Sequence, residues 1–542
     1  MQPSFWKRHR ALRWIVGIAL TGLAVLILVV VILARRTEPF LRARIVDELS
    51  SRFHAKVELD TFHLSFGNGF RGEWGIWARG RGLRVWPSEN AIAAGVPNSP
   101  VISLDEFRFH APLRYKPGVP IHISEVRLNG LEIHLPPKPH ELHFNLPKPA
   151  GSPQDSSTTP FVTFRVDRVI ATNCHLVHET DKPGKLPLDF AITSLVLKDF
   201  TPNRVMHFEA HLINPRPEGT IHTTGTFGPW DSSDPGESAV EGNYRFENAN
   251  LATFKQIAGT LNSDGHYEGT LNNIDATGET DTPDFQLPQF GNAMHLRTQF
   301  HATVDGTNGD TWLNSVDATL GQSRFSVKGK VVRFLSKGDD PHSIGHDVDL
   351  RVIINNGRIE DFTRLATHGS EPLLTGTLNL DAKMNIPPGQ GVMHERLQMK
   401  GEFVLDDAEF TNPGVQGKLK QLSLRGQGKT NELKSTDPMV IPAHLEGYFD
   451  VATGKIAFPS LQFRVPGADI QLKGIYGLDG GSLDFIGSAR MDATISKMVG
   501  GWKGFLLKPA DRFFKKDGAG TSLPIRVGGV ASHPDIALDF HR

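Results

Sequence analysis

The chain has 23 histidines, each of a type that could bind a metal or move a proton. A metal site needs ligands that converge, as in HExxH or a His/Cys cluster. No histidine stands in either setting. Local pairs include His122/His134 and His175/His178, and the latter two fall on opposite faces of an alternating strand. They read as solvated or core histidines. Cys174 is the only cysteine, which excludes an internal disulfide and any Cys-based zinc or iron–sulfur cage. It occupies an apolar slot in its segment and reads as a buried thiol. Gly67-x-Gly69-x-x-Gly72 has the spacing of a dinucleotide-binding loop. The adjoining run EWGIWARGRGLRVW alternates and is broken by glycine, so no helix N-terminus can meet a pyrophosphate. A hairpin is expected instead. Asn262-Ser263-Asp264-Gly265 and Asp305 to Asp310 resemble calcium loops only loosely and lack the glutamate at the twelfth position, so both are expected to be turns. GxSxG and the phosphate loop GxxxxGK[ST] are absent. No catalytic residue, metal ligand or cofactor is assigned, and the expected protein is not an enzyme.

These segments sit in a chain of 542 residues, too long for one compact core, with 58 basic and 59 acidic residues and a net charge of -1. That balance argues against nucleic acid as a partner. Trp14 to Ala34 carries no charge and at 1.5 Å rise per residue would span about 30 Å, the thickness of a bilayer's hydrocarbon core. Arg35 and Arg36 come at once where a small-x-small cleavage site would be expected, so the segment reads as an uncleaved transmembrane helix after a cytoplasmic tail, 1–13. Basic residues flank it almost equally, so charge does not fix the orientation. Beyond it Leu41, Ile45, Leu49 and Phe53 recur every four residues, which predicts a helix. From Ala55 the period becomes two, with Val57, Leu59 and His63 on one side and Lys56, Glu58, Asp60 and Phe62 on the other.

Strands punctuated by Gly, Pro, Asn and Asp run from there to the C-terminus. The expected sections are 37–145, a Pro/Ser-rich loop at 146–160, a repeating β section at 161–490 and a closing section at 491–542. Gly228 to Gly236 reads as a turn or small loop. ISEVRLNGLEIHL (123–135) echoes VDRVIATNCHLVH (166–178) at an offset of 43 residues. Leu251, Phe254, Ile257 and Ala258 echo Ile359, Phe362, Leu365 and Ala366, which predicts a short amphipathic helix at each place. The pattern apolar-x-apolar-Lys-Gly-x-apolar occurs as FSVKGKV (325–331), LQMKGEF (397–403) and IQLKGIY (470–476). Upstream of the first and third, Leu313, Val316, Ala318 and Leu320 match Phe458, Leu461, Phe463 and Val465. One sheet face thus repeats as apolar, with glycine where the pleat must bend. The predicted fold is mainly β, an N-terminal transmembrane helix followed by an elongated, curled antiparallel sheet with a few short amphipathic helices. Phe325, Val327, Leu397, Met399, Ile470 and Leu472 are the candidate lining of a lipid groove. Met498, Trp502, Phe505, Leu506, Phe513 and Phe514 form a candidate end-cap or membrane-contact helix, made basic by Lys497, Lys503 and Lys508 but weakened by Gly500, Gly501 and Gly504.

The anchor, LRARIVDELSSRFHAKVELDTFHLSF (41–66), VRLNGLEIHL (126–135) and the tail GAGTSLPIRVGGVASHPDIALDF (518–540) together resemble the AsmA-like family of Gram-negative envelope proteins. The resemblance implies a single inner-membrane helix, N-terminus in the cytoplasm, carrying a repeating β-groove in the periplasm. It further implies that the groove holds acyl chains and carries phospholipids toward the outer membrane; the family has no catalytic residues to carry over. An alternative is an assembly factor that binds outer-membrane or other envelope proteins by strand addition.

Overall fold

The computed structural model describes most of the chain from Glu38 onward. The larger stretches outside the described residues are 1–37, 113–120, 136–163, 180–186, 334–345 and 500–519. The expected transmembrane segment, 14–34, and the loop at 146–160 therefore lie outside them. Among the described residues no helix is long and apolar enough to cross a membrane. The protein is mainly β, with few helices, and falls into two compact units. One holds the described residues up to Thr253, with 261–278 and 304–308; the other holds 254–260, 279–303 and those from Gly309 on.

The first unit opens with helix α1, Glu38–Phe53, where the four-residue period predicted one. It is followed by β1 Val57–Asn68, β2 Trp74–Val85, β3 Ile102–Pro112, β4 Ile121–Ile123, β5 Val126–Leu135, β6 Phe164–His178, β7 Leu188–Phe200, β8 Met206–Pro215, β9 Glu218–Phe227 and β10 Ala239–Asn250. β1 and β2 form the hairpin expected around Gly67 and Gly72. Neighbours are antiparallel except that β4 and β5 run parallel to β6. Parallel neighbours need a crossover of a dozen or more residues, and residues 136–163, with the Pro/Ser-rich run inside them, supply its length. The 43-residue repeat is the register of this pairing. Ile123 lies against Val166, Val126 against Val169 and Ile133 against Leu176, so the two copies lie side by side.

Ile45 and Leu49 of α1 sink into a filled core with Val57, Leu59, Phe62, Phe107, Phe109, Ile123 and Val166. Phe62 corrects the alternation expected for β1: it is 3% exposed although Val57 and Leu59, of opposite parity, are buried too. The reason is a reversal of the pleat that crosses neighbouring strands. Gly82 (φ +65°), Gly130 (φ +65°) and Asn173 (φ +53°) adopt the left-handed region there. Asp60 covers Gly82 and Asp105 covers Gly130, where an added Cβ would collide with the carboxylate. Inward residues step by three across this line, from Leu59 to Phe62, Leu104 to Phe107 and Ala171 to Cys174.

β11 Thr260–Thr270, β12 Asn273–Phe285 and β13 Met294–Val304 come next. Asn262 to Gly265 thus lies inside a strand, not in the turn expected of it. There the Asn262 side chain accepts a hydrogen bond from the backbone N–H of left-handed Asn248, so cross-strand bonding explains its composition.

The second unit continues with β14 Thr311–Leu320, β15 Ser323–Arg333, β16 His346–Arg358, helix α2 Ile359–Ala366, β17 Leu374–Ile386, β18 Gln398–Phe410, helix α3 Pro413–Gly426, β19 Ala443–Ala452, β20 Lys455–Val465, β21 Ala468–Gly477, β22 Leu483–Met491, helix α4 Ile495–Val499, β23 Thr521–Val530 and β24 His533–Leu538. From β14 on, each strand pairs antiparallel with the next. Among the described residues β24 pairs only with β23, so this sheet is unclosed. The 145-residue echo is a repeated hairpin. Val316–Val327 and Ala318–Phe325 in one match Leu461–Leu472 and Phe463–Ile470 in the other, each with a bulge at the same place. Of the two echoed helices, α2 forms as predicted; at the earlier place only a four-residue 3-10 turn, Leu251–Phe254, is described. α3 has no counterpart among the predicted helices. Asn412 caps it through its side chain, Pro413 starts it, and Leu419 and Leu424 are buried beneath it.

Two substitutions test this account. Phe107→Ala, at a side chain 0% exposed, is expected to cost about 3–5 kcal/mol. Gly130→Val forces a branched residue into a left-handed position against Asp105 and is expected to cost about 1–3 kcal/mol. Urea unfolding reads both, and an unmoved midpoint for either contradicts the packing described.

Candidate functional site

Directly opposed residues in neighbouring strands share a face, so register alone assembles the inner surface of the second unit. One row reads Phe325, Ile354, Leu380, Phe403, Gly447, Leu461, Leu472 and Gly487. A parallel row reads Leu350, Met384, Met399, Val451 and Ile456. Between them lies Val327, Val352, Ala382, Gly401 and Phe449. Phe449, Phe403, Phe458 and Phe485 touch successively at centroid distances of 5.8–6.3 Å. At Gly401 and Gly474, both in the Lys-Gly pattern, an added Cβ would strike the backbone of the next strand. Glycine there permits the close approach of a bent sheet.

Of the six predicted lining residues, Phe325, Val327, Met399, Ile470 and Leu472 lie on this face. Leu397, just ahead of β18 and half-buried, has the parity of Met399. Burial along the face is graded. Leu378, Leu405 and Ile470 are buried close to α3, together with Leu419, Ile441 and Val465. Val327, Leu350, Leu380, Met384, Met399, Phe403, Leu461 and Leu472 stay half-buried, although all are apolar. Their remaining exposed surface is oily and concerted, which is what separates this face from a filled core. Of the predicted end-cap or membrane-contact residues, Met498 in α4 is partly buried against the same cluster. Trp502, Phe505, Leu506, Phe513 and Phe514 lie outside the described residues.

The opposite face is polar and laced with cross-strand ion pairs. Arg351 binds Asp381 at 2.5 Å, and both Arg464 and His444 contact Glu446. A shallow cavity of about 460 Å³ lies on this side of β16–β20, lined by Asp381, Glu402, Glu446, Tyr448 and Gln462 among others. Its Asp381 carboxyl is held below the ordinary range by the hydrogen bond from Arg351. A carboxylate kept ionised in this way is poorly suited to general acid work. Several histidines on polar faces are tied to carboxylates: His122 to Asp167 at 2.7 Å, His175 to Asp189 at 2.9 Å, His134 to both Glu132 and Glu179. Cys174 is buried, and burial pushes its thiol up, as expected of an inert slot.

Asp281 gives a readable case of this electrostatics. The hydrogen bond from His295, then that from Arg297, lowers its pKa. A depressed carboxylate contributes stability above its unfolded value, about 3.9, and loses it as pH falls through the folded one. Asp281→Asn should therefore lower the unfolding free energy slightly at pH 7, by under about 1 kcal/mol for so exposed a pair. The difference should shrink as pH falls through the folded pKa; a difference that does not change on acidification refutes the assignment. Compared with profiles of known protein families, with curated proteins and with solved structures, the chain matches none.

Proposed function

We propose that this protein binds acyl lipids on the inner face of the second unit's sheet and passes them along it, anchored to the inner membrane through residues 14–34. On this reading it is an AsmA-like envelope protein whose bulk lies in the periplasm and whose cargo is phospholipid bound for the outer membrane. The observation that carries it is the set of half-buried apolar rows across β15–β21. Covering such a surface with a fatty chain is worth about 0.8 kcal/mol for each methylene removed from water. Head groups need no site of their own, since they remain in water at the unclosed side. The sequence holds no nucleotide-binding loop, so net flow would follow a concentration gradient or a partner that consumes energy.

The assembly-factor reading draws on the edge of β24 that pairs with no further strand among the described residues and could receive a guest strand. That edge is only six residues long and carries Pro534, two devices that discourage strand addition. Lipid is therefore the favoured occupant.

The triple substitution Val327→Asp, Met399→Asp and Leu472→Asp should abolish uptake of a fluorescent phospholipid by the purified chain and leave its circular dichroism unchanged. Tyr448→Asp, on the polar face, should leave uptake intact. Photo-crosslinkers at the same three inner positions should give lipid adducts. Undiminished uptake in the triple variant, or protein adducts alone, would overturn the proposal.

A further inference from the structure

In the first unit, β8 and β9 form a hairpin that turns at Arg216 and Pro217. Its register sets His211 directly opposite His222, with Glu209 two residues earlier on the same face. The two imidazoles lie face to face at 4.0 Å between centroids and 13° between planes. The Nε2 atom of each stands 3.9 Å from Oε1 of Glu209. One donor atom from each of the three residues falls within 4.8 Å of the others. The side chains are 44%, 45% and 48% exposed, so an ion reaches them from solvent.

The arrangement differs from the other polar-face histidines named above. Those have a carboxylate at hydrogen-bond distance, whereas here all three groups converge and stop about 1 Å short of bonding. A parallel imidazole sandwich is itself a poor ring geometry, and protonating both rings would add repulsion. A cation bound at both Nε2 atoms, in the ring planes, would draw the rings out of this sandwich and hold both imidazoles neutral. Zn²⁺ holds imidazole nitrogen at about 2.0–2.1 Å and carboxylate oxygen at about 2.0–2.2 Å. Tetrahedral ligands at those lengths sit about 3.3 Å apart, within reach of small χ rotations from the spacing seen. The neighbours do not block it. Ser194 and Val196 of β7 stand opposite His211 and Glu209, and Thr224 of β9 opposite Glu209. Arg245 of β10, the cation opposite His222, is bound to Asp264 at 2.7 Å.

We propose that Glu209, His211 and His222 form a binding site for a borderline divalent cation of the Zn²⁺ or Cu²⁺ class, with the remaining coordination position open to water. The bound ion would staple β8 to β9. The site is independent of the lipid reading, and neither stands or falls with the other.

The test uses the full chain, stripped with EDTA and titrated with Zn²⁺ by calorimetry, alongside His211→Ala, His222→Ala and Glu209→Gln. The wild type should bind one equivalent more than either histidine variant. Glu209→Gln should weaken that equivalent about tenfold or more. Because protons compete with the metal for imidazole nitrogen, the extra equivalent should weaken on acidification. Co²⁺ in place of Zn²⁺ should give visible d–d absorption that both histidine substitutions remove. All three residues are on the surface, and unchanged circular dichroism confirms that the variants fold. Equal stoichiometry and affinity in wild type and histidine variants would overturn the proposal.

Discussion

Lateral hydrogen bonding in a fixed register is the constraint on which the other features rest. Each strand must satisfy its backbone against two neighbours while keeping one parity of side chains inward. A slip of one residue would turn every inner apolar group to water. In the second unit the register lines Leu380 up with Phe403 and Leu461 with Leu472. In the first it lines the two copies of a repeat up with each other. The apolar rows, the polar face with its ion pairs and the imidazole pair on β8 and β9 are all products of that alignment.

The two units use the same rule to different ends. In the first, α1 packs on β1 and large side chains fill the core beside it: Phe107 and Phe109 are wholly enclosed. In the second, α3 covers only the margin near Leu405 and Val465, and apolar side chains farther along keep part of their surface. Burial is usually complete when the chain supplies its own lid. Incomplete burial of aligned aliphatic and aromatic side chains is therefore informative in a way that isolated exposed leucines are not.

Much of this is legible in the sequence because repetition reports on local geometry. The offset of 43 residues encodes a register, the offset of 145 a duplicated hairpin, and the Lys-Gly pattern a bend. The predicted lining falls on one face because residues two apart in a strand share a side. The features that stay hidden are choices made at long range. Nothing in β5 or β6 states that they run parallel. α3 carries a plain capping signal, Asn412-Pro413, which the strand periodicity on either side masks. Asn262 and Asp264 have turn composition, yet cross-strand partners hold them extended. His211 and His222 are eleven residues apart and meet only because the hairpin folds about Arg216 and Pro217. A mirror count from that dipeptide pairs them.

The pleat reversal along Asp60, Gly82, Asp105, Gly130 and Asn173 affects how any homologue or variant library should be interpreted. Odd and even positions exchange meaning at that line. In β1, Leu59 looks to the core before it and Phe62 after it. A hydropathy profile, a charge scan or a cysteine-accessibility ladder that carries one phase through the whole strand will mistake lining for surface on the far side. Tolerance to substitution should change step there too, so that a lone carboxylate or glycine flanked by mismatched alternations is itself a sign that such a crossing has been reached.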